Sequence, residues 1–481
     1  MAFREGTRRQ TQLLPPSIEE YVREDSPVRV YDALVEALDM QELGITSNKY
    51  QEGNPRYDPK AMLKLLIYGY AYGVRSSRKL ERETYYNLSF IWLMGGLKPD
   101  HKTIAEFRRQ NREAIAKVLK QTVRICLKMD LVSGNCLFVD STKMRAAASI
   151  GQTKSRPKWE EKLKQLDQQI EEMLDKCEAT DKAESGSLVK IIQGKQKLKG
   201  KIAGLLKQME EEKRPKINGT DTDSVNFNGR QGKHSGYSAH ITVDEKHGLI
   251  INADTVSEAT DAHQFSQQIQ QAEETLGQAC QTAVADAGYC DLDNIKKTLA
   301  KGVEVILPSQ KQALHHPVDK PFDKDKFHYD AEHHYYICPA NRILSFSHYS
   351  KIKKQYIYRI EKTAYCLACA HYALCTNSKR GRSIARLEEE ALKEKLEQVY
   401  ISEKGQAIYK RRKERAELPF GHIKRNLNCG AFLIRGIKGA KAEFTLLASC
   451  FNIARIITLL GSVPQAVNKL AMVKERAMIK A

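Results

Sequence analysis

Long apolar runs are missing from this chain. No stretch reaches the ~20 residues a membrane-spanning helix needs, which argues against an integral membrane protein. The first residues, Met1-Ala2-Phe3-Arg4-Glu5-Gly6-Thr7-Arg8-Arg9-Gln10, carry charge with no apolar core behind it, so a secretory signal is not expected. The cysteines lack a pairing pattern as well. Eleven is an odd number, and without an export signal the residues predict thiols or a metal site rather than a disulfide framework. Acids are in deficit: 59 Asp+Glu against 78 Lys+Arg leave a net charge of +19 over 481 residues. That excess predicts a polyanionic partner, nucleic acid before a membrane surface. The chain reads as cytoplasmic, and its length allows roughly two to four domains.

What is present falls into blocks. Residues 1–16 read as a loose arm. Residues 17–128 read as all-helical, and Ser17 with Glu20 makes a capping box at the start. Thr103-Ile104-Ala105-Glu106 looks like a second capping box, opening a helix with Arg108, Arg109 and Arg112. A short turn before a basic helix fits a helix-turn-helix whose second helix enters a major groove. A solvated helix face explains the same arginines.

Two heptad runs follow: Leu163, Leu166, Ile170, Met173 and Cys177, then Leu188, Ile191, Lys195, Leu198, Ile202, Leu205 and Met209. They predict an antiparallel helical hairpin inserted at 155–213. Strand patterns lie on either side. Ser238–Asp244 and Leu249–Ala253 pair around Lys246-His247-Gly248. A helix at 261–277, a strand from Thr282, a helix at Leu292–Lys301 and a strand at Val303–Leu307 complete a mixed sheet flanked by helices. From Ile384 the chain turns helical again, through Glu403–Arg415 to a last apolar helix at Ala440–Leu460 and a tail at 461–481.

Two places in the strand-rich part carry acids. Leu137-Phe138-Val139 is a buried-strand pattern ending on Asp140, and Thr282-Ala283-Val284-Ala285 leads to Asp286 and a turn glycine. A carboxylate at the end of a buried strand is costly to desolvate and wants a cation or metal. Two of them suggest one shared metal site. Singly, each also reads as a strand-end turn or a helix cap. Glu417 adds a third acid, inside the basic run Tyr409–Arg425. Hard oxygen ligands select Mg²⁺ or Mn²⁺, and two such ions can activate a hydroxyl and stabilise the leaving oxygen of a phosphodiester. Residues 308–383 hold Cys338, Cys366, Cys369 and Cys375, a set that suits a tetrahedral thiolate zinc site or four reduced thiols. His315, His316, His333 and His334 are substitute ligands or exposed loop residues.

On these motifs the chain resembles the DDE transposases of bacterial insertion sequences. Val139-Asp140-Ser141-Thr142-Lys143 matches the first-acid motif, Ala285-Asp286-Ala287-Gly288-Tyr289 the second, and Glu417-Leu418-Pro419-Phe420-Gly421-His422-Ile423-Lys424 the third. Tyr57–Tyr70, Arg75–Glu81 and Pro99–Arg108 resemble the family's helical front domain. The resemblance covers most of the chain. It implies a ribonuclease H-like α/β core at 131–307 with 384–460, an all-α DNA-binding domain at 1–130, the helical hairpin, and a Cys-rich, possible zinc-binding insertion at 308–383.

The resemblance also implies Asp140, Asp286 and Glu417 as the ligands of two Mg²⁺ (or Mn²⁺) ions, and Tyr409, Arg412 and Lys424 as DNA contacts. One spacing departs from the family. Arg412 stands five residues before Glu417 instead of four, about 140° around a helix rather than about 40°. That makes Lys413 the alternative phosphate holder, predicts a kink at Pro419, and leaves Glu414 and Glu443 as other candidate acids. The implied partners are double-stranded DNA, at terminal inverted repeats and in the target, and a second copy of the chain in the DNA complex. The implied location is the nucleoid. The competing readings are a non-catalytic DNA-binding protein and a metal-dependent nuclease without strand transfer.

Overall fold

The computed structural model describes residues 17–45, 56–178, 185–229, 232–314 and 320–479; the expected arm, His315 and His316 fall outside them. The chain divides into two units, Met1–Ala283 with Arg411–Ala481, and Val284–Lys410.

The first unit begins with helices α1 (Val28–Glu36), α2 (Met40–Leu43), α3 (Pro59–Ala71), α4 (Ser77–Tyr86), α5 (Leu88–Leu93), α6 (His101–Gln110) and α7 (Arg112–Lys128). Their starts follow local chemistry. The Asp58 side chain accepts from the Lys60 N–H, and Pro59 supplies the fixed φ of a first helical residue. Asp100 caps α6 by accepting from the Thr103 N–H at 2.6 Å, so the helix starts two residues before the expected Thr103 cap. Glu106 is therefore mid-helix, where it pairs with Arg109. Ser17 and Glu20 do form their capping box, on a single 3₁₀ turn.

Next come β1 (Cys136–Arg145), β2 (Thr153–Ser155), α8 (Arg156–Glu178), α9 (Ser185–Glu211), β3 (Lys216–Asn218), β4 (Val225–Gly229), β5 (Gly232–Asp244), β6 (Ile250–Val256) and α10 (Phe265–Leu276). β5 is the spine of the sheet. Its first residues pair with β4, the rest with β6, and β1 runs antiparallel along its other edge from Leu137 opposite Asp244 to Arg145 opposite Gly236. Gly236 is required there, because a Cβ would sit 2.2 Å from the Met144 carbonyl oxygen.

α8 and α9 pack against each other, tied by Lys199–Asp167 and by Lys195 donating to Gln169. The heptad reading is right at the base and one residue out above it: Ile192 is buried, while Ile191 and Leu198 are exposed.

The unit boundary falls in β7 (Thr282–Val284). The second unit continues with α11 (Leu292–Leu299), β8 (Glu304–Ile306), β9 (His328–Asp330), β10 (Tyr335–Ile337), β11 (Ile343–Ser350), β12 (Gln355–Ile360), α12 (Thr363–Leu367), β13 (Ser383–Leu387) and α13 (Glu390–Ile401). The last five strands make an antiparallel sheet in the order β13-β12-β11-β10-β9, over a core of Phe327, Tyr336, Leu344, Tyr358, Ile360 and Ile384.

α14 (Glu403–Arg425) crosses back, and α15 (Ile437–Leu460) and α16 (Val463–Ile479) complete the first unit. α14 runs through Pro419 as one helix, held by Ala416, Phe420 and Ile423 on its buried side, and the expected kink does not end it. α15 corrects the reading that no segment is apolar enough to span a membrane. Its 24 residues pass by composition, yet 67% of the apolar window is buried against protein. It packs on α3, α7 and β6 and is the core helix of the unit. Removing one of its fully buried rings, such as Phe444→Ala, costs about 3–5 kcal/mol. The expected tail is α16, which seats Val463, Ala466, Leu470 and Val473 and lies along α1.

Candidate active site

The site in the first unit begins on β1. Leu137, Phe138 and Val139 are fully buried, as the apolar run predicts. The strand does not end at Asp140, however, but pairs with β5 for five more residues. Strand alternation then sorts the motif. Asp140 and Thr142 point to one face, and Ser141 and Lys143 to the other.

On the first face lies α14. Asp140 is buried and forms an ion pair with Arg412 at 2.9 Å, and its Oδ1 also accepts from the Ser141 N–H at 2.8 Å. Lys424 Nζ donates to Thr142 Oγ1. Burial holds the Lys424 ammonium below its ordinary pKa. The helix therefore touches the strand at two basic residues twelve apart, and Glu417 lies between them, exposed.

Helical geometry places Glu417 with Lys424, seven residues and about 20° away, rather than with Arg412 at about 140°. The extra residue in the spacing thus turns Arg412 inward onto Asp140, while Lys413 and Glu414 are exposed. Tyr409, one turn before Arg412, packs edge-on against Tyr400 at 5.0 Å.

The opposite face of β1 carries a polar cluster that the sequence did not suggest. Lys143 donates to Asp261 at 2.7 Å and to Ser238 at 2.8 Å, and His240 Nε2 lies 3.5 Å from Asp261. Burial raises the Asp261 carboxyl, but the hydrogen bonds from Lys143 and Ser238 outweigh it and leave the pKa below the ordinary value. His240 is pushed down to about 4, chiefly by burial.

The other named residues sort as follows. Asp286, in the second unit, caps a one-turn 3₁₀ helix and accepts from the Gly288 N–H at 2.9 Å. Glu443 is buried on α15, paired with Arg75 at 2.9 Å and accepting from the Leu433 and Ile434 N–H groups at 2.8 and 3.1 Å. Arg108 is half-buried and donates to Tyr70 Oη, the Arg75 carbonyl and Ser77 Oγ of its own helical layer. Among the described residues, no three His, Cys, Asp or Glu side chains stand close enough together to hold a metal ion.

Cys338, Cys366, Cys369 and Cys375 of the second unit line one small cavity of about 30 Å³, together with Phe322 and His371. The Arg342 N–H donates to Cys338 Sγ at 3.3 Å and the Arg382 N–H to Cys366 Sγ at 3.4 Å. Burial pushes the Cys375 thiol up, and the other three cysteines add to that against the pull of Arg382. No disulfide joins cysteines among the described residues.

Residues 16–110 match the family model described as Transposase domain (DUF772), and residues 337–457 match the model described as Transposase DDE domain. The chain is a DDE-type transposase of an insertion sequence. The second match takes in the cysteines and all of α14, so Arg412, Glu417 and Lys424 of the transposase fall inside it; Asp140 and Asp286 lie outside both matched stretches. Among solved structures the transposase is similar to the piggyBac transposase, seen in a synaptic complex with hairpin DNA. The identity is 9% and the TM-score 0.32, over 95% of this chain and 82% of that one. No curated protein matches it.

Proposed function

We propose that this transposase cleaves DNA at the ends of its element and joins the freed 3′ hydroxyl to target DNA, with Asp140, Asp286 and Glu417 as the acids that hold divalent metal. The observation that carries the reading is the grip of α14 on β1: Arg412 on Asp140 and Lys424 on Thr142, with Glu417 between them. The donor set fits Mg²⁺ or Mn²⁺, since all three side chains offer hard carboxylate oxygens. The metal, when bound, supplies Lewis-acid stabilisation of the reacting phosphodiester oxygens. The protein's own groups do the rest. Arg412 neutralises Asp140 in the DNA-free protein and keeps it aimed along the strand face. Lys424 is exposed and held by Thr142, so it offers a fixed cation to a phosphate that reaches it. Tyr409 and Lys413 continue the basic helix as further backbone contacts.

The helical front segment reads the terminal repeats in this account, and α8 with α9 joins two copies in the DNA complex. In this account Cys338, Cys366, Cys369 and Cys375 draw together around one structural zinc; as they stand, no three of them are close enough to hold it. The shared cavity and the two N–H donors to sulfur favour it, because such donors stabilise thiolates. About one zinc per chain, lost together in Cys366→Ser, is the expected metal analysis. A metal-free protein of unchanged thermal stability would remove that assignment.

The deciding experiment is cleavage of a labelled transposon-end duplex in Mg²⁺, wild type against Asp140→Ala, with end binding measured in parallel. Cleavage lost while binding persists is the expected result. Equal cleavage by both proteins would take Asp140 out of the site. Products that never become joined to a target plasmid would favour a nuclease without strand transfer.

A further inference from the structure

A second cationic surface lies in the first unit, apart from the Asp140 face. An open groove of about 400 Å³ is lined by Arg108, Arg109 and Arg112 on one side and by Ala147 and Arg435 on the other. The four arginines are differently engaged. Arg108 is turned inward by Tyr70 and Ser77, and Arg109 is paired with Glu106. Arg112 Nε is buried and has no hydrogen-bond partner among the described residues. Arg435 donates its Nε to the Ala147 carbonyl at 3.2 Å, which fixes the guanidinium at the groove wall. The wall itself is firm. Glu443 holds the Leu433 and Ile434 N–H groups, and Lys438 pairs with Glu113 next to Arg112.

From this arrangement we infer that the groove is a seat for the sugar–phosphate backbone of duplex DNA, with Arg112 and Arg435 as its two phosphate-binding side chains. The inference rests on the transposase reading and adds to it a DNA-positioning site away from the reacting acids. Three features favour backbone over base. The lining contains no Phe, Tyr or Trp on which a base would stack. Arginine presents a planar fork that matches phosphate oxygens. Contacts of this kind fix register on the duplex and carry no sequence information of their own. The placement also fits. Ala147 lies two residues past β1 and Arg435 ten past α14, so the groove is built from continuations of the two elements that carry Asp140 and Lys424.

The test uses the full chain and a fluorescent duplex, with binding followed by anisotropy over a series of NaCl concentrations. Arg112→Gln/Arg435→Gln is expected to weaken binding to end and random duplexes by the same factor. It should also make the slope of log K against log [salt] shallower by about 2, near 0.9 for each lost contact. Arg112→Lys/Arg435→Lys should restore the slope. If the double variant proves unstable on thermal unfolding, Arg435→Gln alone, on an exposed side chain, should still lose about 1.

A wild type that binds and cleaves, beside a Gln variant with an unchanged slope, overturns the groove and leaves the transposase reading standing. A variant that loses only binding of a mononucleotide, dAMP, makes the groove a nucleotide pocket and also overturns the inference. A wild type that binds no duplex at all overturns the reading beneath it, and the groove with it.

Discussion

Two buried arginine–carboxylate pairs lie in the first unit, and their surroundings differ. Glu443 is saturated: Arg75 on one oxygen, two backbone N–H groups on the other. Arg75 in turn reaches the carbonyls of Asn428 and Ala431 and the sulfur of Cys429. Together these contacts tie the segment after α3, the loop after α14 and α15 to one another, and the pair acts as a bolt. Asp140 has the same kind of partner in Arg412 but sits on a strand face beside Thr142, Lys424 and an exposed glutamate. The difference teaches that burial and an arginine do not by themselves mark a catalytic acid. On the proposed function, what sets Asp140 apart is that its partner Arg412 shares one basic helix with Glu417 and Lys424.

The comparison can be broken at several points. Asp140→Asn should reduce end cleavage to background while circular dichroism and the unfolding midpoint stay close to wild type. Residual cleavage within tenfold of wild type would end the distinction. Glu443→Ala should act on the fold instead. Removing one member of a saturated buried pair costs about 3–5 kcal/mol, read as a lower urea midpoint with an unchanged m-value. Loss of cleavage with full stability would make Glu443 a catalytic acid after all.

The far face of β1 offers a pH test. The His240 pKa is lowered in the fold to about 4 from 6.5, so the unfolded chain takes up the proton first. The stability held by neutral His240 is complete above about pH 6.5 and is lost as the pH falls toward 4, at most about 3 kcal/mol. In His240→Asn that slope between pH 6.5 and 4 should flatten, and chemical denaturation at several pH values reads it. Arg412→Gln should have the smallest effect on stability, about 1–2 kcal/mol, because one hydrogen-bonded charge partner is lost at the edge of the site rather than inside a bolt. A loss as large as that of Glu443→Ala would show the two pairs to be alike.

Much of this is legible in the sequence. The Leu137–Val139 run gave a buried strand with an acid on it, Ser238–Ala253 gave the hairpin, and the heptads gave two packed helices. The misses have physical causes. β1 continues past Asp140 because β5 is long enough to pair with it, and pairing partners are tertiary information. Thr103 looked like a cap, but Asp100 offered its carboxylate to the same N–H and won the helix start. The odd spacing of Arg412 and Glu417 was visible. Its consequence, one side chain turned to the strand and the other to solvent, needed the inward face of α14. Arg435 and the Lys143–Asp261–His240 cluster gave no signal, since each is assembled from residues far apart in the chain.

α15 has a consequence for how the protein is made. It covers β6, α3 and α7, all of which leave the ribosome long before it does. At ordinary elongation rates the front helices wait roughly 20–80 s for residues 437–460. During that time the nascent chain carries an apolar surface with no cover. A message interrupted before codon 437 therefore yields a sticky fragment destined for chaperones and proteases, not a shortened protein that could compete with the intact enzyme for DNA.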